Sequence, residues 1–154
     1  MIIDIVDAVE SMAAAAKAQL TYLKTCEMHA GQIDKYVFGG MQGSIVLPPF
    51  DLLEYAALPP TPGADKTTKQ QTIYIDHSIK HVVGDWNVRN TREAAESCLK
   101  IVRNLIPLFN GQYVTGSDGV TKYGPWSFMS AEPFVMTNEL IAYQVIFGLR
   151  GVAV

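Results

Sequence analysis

Charge is what this sequence is short of. Asp, Glu, Lys and Arg make up 18% of its 154 residues, against about 25% in a typical soluble domain. Hydrophobic residues reach 49%. That balance points to surface intended for protein contact, and a well-buried monomer would show the same figures. Lys and Arg form no run and the formal net charge is −3, so nothing attracts phosphate in general and sequence-specific nucleic-acid binding is not expected. Cysteine is nearly absent. Cys26 and Cys98 lie far apart with no C-x-x-C between them, and are expected to be reduced thiols in a protein made in the cytoplasm. Long uncharged runs are missing too: Asp4, Asp7, Glu10 and Lys17 interrupt the opening MIIDIVDAVESMAAAAKAQL. A spanning helix wants about 20 largely uncharged residues, so the expectation is no membrane partner.

Catalytic signatures are lacking as well. Gly39-Gly40-Met41-Gln42-Gly43 has neither the spacing of a dinucleotide fingerprint nor the Lys-Ser/Thr of a P-loop. Gly43-Ser44 is not followed by the glycine of a nucleophile elbow. Cys26 with His29 spells C-x-x-H, and His77 with His81 spells H-x-x-x-H. On a helix the latter spacing gives about 5–6 Å and a shared metal, but on a strand it gives ~13 Å. Because the surrounding residues alternate like a strand, no metal site is expected. Asp76-His77-Ser78 contains the letters of a triad, yet neighbours on a strand face opposite ways. Glu93 and Glu96 lie near a helix start, where they favour its dipole. No catalytic, cofactor or metal residues are therefore nominated, and an enzyme is not expected. Trp86, Trp126, Tyr74, Tyr113 and Tyr123 remain as interface anchors or as packing beneath loops.

What is present is patterning. Ile2, Ile5, Val6, Val9, Met12, Ala13, Ala16, Leu20 and Leu23 recur at helical steps. From Thr25 to Gly43 no period is legible. Phe50 to Leu58 reads as a strand after Pro48-Pro49, and a polar loop, Pro59 to Gln70, joins it to QTIYIDHSIKHVV, the best alternating stretch, as a hairpin. Asn90 with Glu93 resembles a capping box for the helix TREAAESCLKIVRNLI, with Glu96 and Lys100 paired one turn apart and Pro107 and Asn110-Gly111 as its stop. Gln112 to Pro133 reads as irregular structure or a short hairpin before a final strand, Phe134 to Leu149. The expected fold is a single domain over residues 1–154, α+β, an antiparallel sheet with two main helices packed on one face.

That final strand has two apolar faces. Ile141, Tyr143, Val145, Phe147 and Leu149 share one side, and Leu140, Ala142, Gln144, Ile146 and Gly148 the other. The first is expected to pack on the helices, and the second to meet a neighbouring subunit or a third element. Leu140, Ala142, Gln144 and Ile146, with Trp126, are the candidate subunit interface.

The order of elements, the LPPFDLLEYAAL strand, the helix pattern R-x-x-A-x-x-x-L-x-x-V (Arg92, Ala95, Leu99, Val102) and the closing Y-x-V-x-F strand (Tyr143, Val145, Phe147) resemble the tail-terminator and tail-completion proteins of tailed bacteriophages, of the lambda type and of the minor tail proteins of Mu-like phages. The resemblance implies a virion structural protein. It would assemble in the bacterial host cytoplasm into a ring, expected to be a hexamer, on the last disc of the tail tube. There it would meet the tail tube protein and a head–tail connector or neck protein. Two alternatives stay open: a neck adaptor, and a small ligand-binding or enzymatic domain built on His29, His77 and loop residues.

Overall fold

The computed structural model describes residues 3–28, 46–57, 61–62, 73–86, 91–137 and 140–152. The fold is α+β. Its elements are α1 (Ile5–Gln19), β1 (Thr25–Met28), β2 (Phe50–Ala57), β3 (Thr61–Pro62), β4 (Ile73–Trp86), α2 (Thr91–Phe109), β5 (Val114–Thr115), β6 (Lys122–Tyr123), β7 (Ser127–Met136) and β8 (Leu140–Val152). The main sheet runs β1-β2-β4-β8-β7, β3 adds to β4, and β5 and β6 form a separate two-stranded sheet.

Asp4 starts α1 by accepting the N–H of Asp7 at 3.1 Å, which satisfies one of the donors a helix leaves open. Ala8, Val9, Met12, Ala13 and Ala16 are its buried stripe, while Val6 points outward at 55% exposure. The expected hairpin is present: β2 and β4 pair antiparallel in register Phe50↔Gly84 through Ala57↔His77. The expected helix also forms, with Ala94, Cys98, Ile101, Val102 and Leu105 inward. The Asn90 cap lies outside the described residues.

Four expectations need correction. The sheet is mixed, because Thr25–Met28 forms a strand parallel to β2; four edge residues are too short to show a period. Pro107 does not stop α2, which runs to Phe109. Pro107 stands exposed in the last turn, where water can take the carbonyl that its missing N–H would have bound. Glu96 pairs with Arg92 at 3.0 Å instead of with Lys100, whose ammonium sits 4.5 Å from the Tyr22 ring centroid. Finally, the last strand is two. β7 begins at Ser127, inside the stretch expected to be irregular, and Thr137 closes it: its hydroxyl accepts the Leu140 N–H at 2.9 Å and its own N–H donates to the Leu140 carbonyl at 2.9 Å.

Both helices cover one face of the sheet. Leu53, Ile79, Val83, Val145, Phe147 and Leu149 pack there with Met12, Ile101, Leu105 and Phe109, as the alternation of β8 requires. The opposite face carries a smaller cluster of Val46, Phe50, Leu52, Val82, Leu140 and Ala142. Gly84 makes that cluster fit, since a Cβ at this position would come within 2.4 Å of the Phe50 ring. Phe50 is fully buried and has nowhere to swing. Gly84→Ala is therefore expected to cost about 1–3 kcal/mol in urea unfolding, as overpacked cores do. Gly148→Ala, whose tight contact is with the exposed Met129 side chain while the His77 carbonyl stays at an ordinary 3.8 Å, should be close to neutral.

Candidate functional site

The histidines of β4 sit four residues apart on its helix-facing side, and each has its own partner on β2. The His81 ring is fully buried, as is Asp51. Nδ1 donates to the Asp51 carboxylate, at 2.9 Å from Oδ2 and 3.1 Å from Oδ1. The other nitrogen, Nε2, lies 3.1 Å from the Met12 sulfur. Phe109 and Phe147 hold the ring from two sides, at 5.5 and 5.4 Å between centroids. A His–Asp pair is the orienting half of a nucleophilic triad. Here, however, the nitrogen that would take a proton faces a thioether inside a closed core. Among the described residues no hydroxyl or thiol contacts that nitrogen, and the pair ties β2 to β4 inside the core.

His77, at 8% exposure, has Nδ1 2.9 Å from the Tyr55 hydroxyl. Burial holds its pKa below the usual histidine value, opposed by the Asp76 charge. A folded value that is depressed means the neutral ring is favoured, so this contribution to stability is present above about pH 6.5 and fades in acid. His29 lies outside the described residues, as does the Gly39 to Gly43 turn. Among the described residues no group of three His, Cys, Asp or Glu could hold a metal ion. Both cysteines are free. Cys26 donates to the Ala13 carbonyl and Cys98 to that of Ile141, each at 3.3 Å. Burial pushes the Cys98 thiol up to about 12, with the Asp85 charge adding to it, and raises Cys26 as well, so neither is poised as a nucleophile.

The candidate interface residues divide. Trp126 is fully buried in the main core, and Leu140 and Ala142 belong to the smaller cluster. Gln144 and Ile146 are half-buried on the face away from the helices. Beside them the edge strand β7 exposes Met129 at 54% and Phe134 at 45%, while Met136, 54% exposed, pairs with Ile141 and so lies on the helix side of that edge. Sequence reasoning missed these because it placed Met129 in irregular structure. Bulges interrupt the β7 register between Phe128 and Ser130 and between Pro133 and Val135, which puts Met129 and Phe134 outside the regular alternation. Phe134 lies 5.5 Å from the Lys80 ammonium, and Lys80 also pairs with Glu54 at 3.1 Å. Gln144 donates to Glu132. This face is thus apolar and closed at one end, and amphipathic at the other.

A second feature lies on the helix side of the sheet, beside α1 and the end of α2. Asp7 ties α1 to the β5–β6 hairpin: its carboxylate accepts the Tyr123 hydroxyl at 2.7 Å and the Ser117 N–H at 3.2 Å. Gly116 permits the approach, since a Cβ there would lie 2.6 Å from Asp7 Oδ2. Between hairpin, α1 and the end of α2 an open groove of about 520 Å³ remains. The Tyr123 bond, then Ser117, hold the Asp7 carboxyl below its ordinary 3.8, and the same bond raises the Tyr123 phenol to about 12. The depressed carboxyl stabilises the anchor above pH 3.8 and less as pH falls through its folded value; the raised phenol does so below pH 10.0 and less as pH rises. Asp7→Asn is expected to return the Tyr123 titration from about 12 toward roughly 10. Ultraviolet difference absorbance against the parent protein would read it, and an unshifted titration would mean that the anchor does not form.

Among these residues the sequence-nominated Tyr123 and Trp126 are packed inside, while Tyr113 at 58% and Trp86 at 38% are exposed. Among the described residues no helix is long and apolar enough to cross a membrane. Comparison with protein-family models and with curated proteins returns no match to this chain.

Proposed function

We propose that the chain is a structural subunit of a phage tail, which forms a ring on the end of the tail tube and prepares it for joining to the head. The observation that carries this reading is the pair Met129 and Phe134, exposed on the edge strand beside half-buried Ile146. Large apolar side chains gathered on one edge favour a protein partner, and a head-to-tail ring supplies that partner from the next copy. The bulges and Pro133 blunt β7 against plain strand addition, so the subunits would meet through side chains. The order of elements agrees with the resemblance to tail-terminator and tail-completion proteins. On this reading the work of the molecule is assembly in the host cytoplasm and contact with tube and neck proteins in the virion, with no catalysed reaction.

The test has two arms. Purified protein, sized by light scattering and imaged by negative-stain electron microscopy, should form closed rings. The pair Met129→Lys and Phe134→Lys should return them to single subunits while changing unfolding stability by less than about 0.5 kcal/mol, as exposed substitutions do. Deleting the gene from the phage or prophage that carries it should give tails of abnormal length or tails that never join heads. Normal infectious particles would end this proposal.

A further inference from the structure

We propose that the groove between α1 and the β5–β6 hairpin is a docking site for a basic peptide segment of a protein partner, which places an Arg or Lys side chain at an acidic rim and an apolar side chain on the floor. The inference is independent of the ring: a single subunit carries the whole groove.

Charge argues for the occupant. Asp7 and Glu10 line the groove, and none of its described lining residues is basic. Asp4 and Asp118 lie close enough to act on Tyr123 and so add to the negative field around the mouth. The nearest described cation on the hairpin, Lys122, lies 3.4 Å from the Thr115 hydroxyl. Asp7 is occupied by Tyr123 and Ser117, which leaves the exposed Glu10 carboxylate to receive a cation. Tyr113, 58% exposed on the facing wall, offers a ring face for the same cation.

Shape argues for a peptide. The floor is apolar, made by Ala14, Ala15 and Leu108. The small side chains of α1 leave the helix surface low enough for a side chain to lie against it. Small-molecule sites enclose most of their ligand, whereas this groove is open along one side and would leave such a ligand half in water. An extended segment needs only one of its faces covered. It can alternate a cation for Glu10 with an apolar group for the floor.

A proton–nitrogen NMR titration of the full chain tests this, with a capped hexapeptide of alternating Arg and Leu as probe. Expected are shifts confined to positions 7–15 and 108–117, no shifts with the Glu-Leu counterpart, and binding that weakens with salt. Glu10→Lys, on an exposed position, should weaken binding about tenfold or more. Thr115→Lys, exposed on the opposite wall, should do the same and stands in if the first variant misfolds by circular dichroism. The proposal is overturned by unchanged affinity in a folded variant, by shifts elsewhere on the surface, by silence at millimolar peptide, or by spermidine binding the groove as tightly as the peptide.

Discussion

Replacing Asp51 with Ala is expected to remove about 1–3 kcal/mol of folding stability, the cost of leaving the buried His81 N–H without its acceptor. His81 would keep its place between Phe109 and Phe147, with Nδ1 facing a methyl group and no water. Natural domains have only about 5–15 kcal/mol in total, so the loss is a large share of what keeps the chain folded. The double variant Asp51→Ala with His81→Leu should be more stable than Asp51→Ala alone, since it removes both polar groups and leaves no orphan. Urea unfolding followed by circular dichroism gives all three values. A single-variant loss below about 1 kcal/mol, the net worth of an ordinary hydrogen bond, would show that water reaches the pair. A double variant no better than the single one would show that the loss is cavity and not an unpaired donor.

This pair was legible in principle. Asp51 lies on the same side of β2 as Leu53, and His81 on the same side of β4 as Ile79 and Val83. A polar group centred on an apolar face of each of two neighbouring strands must find its partner there. Reading His81 only against His77, as a metal question, hid that. Alternation placed β4 and both faces of β8, because a packed face on a long strand repeats every second residue. The stripes of α1 and α2 were visible for the same reason at 3.6 residues. β1 was not, having four residues and an edge position. The break between β7 and β8 depends on Thr137 hydrogen bonds, which no hydrophobic period records. The bulges that expose Met129 and Phe134 are equally silent in the pattern. The groove depends on Gly116 meeting Asp7 across more than a hundred residues of chain, a contact that only the packed hairpin creates.

Trp126→Ala is expected to cost about 3–5 kcal/mol, the range for a buried large aromatic, and to lower the unfolding midpoint of the subunit itself. Trp126 is 0% exposed. Its N–H donates to the Gln112 carbonyl at 3.0 Å, and its carbonyl accepts from Gly111 at 2.7 Å, so the backbone cannot follow a smaller side chain into the gap. A tryptophan in a glycine- and proline-rich stretch reads from sequence as an anchor for a partner, and position alone cannot separate that from a plug beneath a loop. Trp126→Phe discriminates further. The indole Nε1 is buried with no hydrogen-bond partner among the described residues, a state that costs about 1–3 kcal/mol. Phe removes that donor while losing part of the ring volume, and the two changes oppose each other. Its net effect should therefore fall within about 2 kcal/mol of the parent, well short of the Ala variant. If Trp126→Ala instead unfolds like the parent and fails only to assemble, the indole belongs to an intersubunit contact and the core drawn around it is wrong.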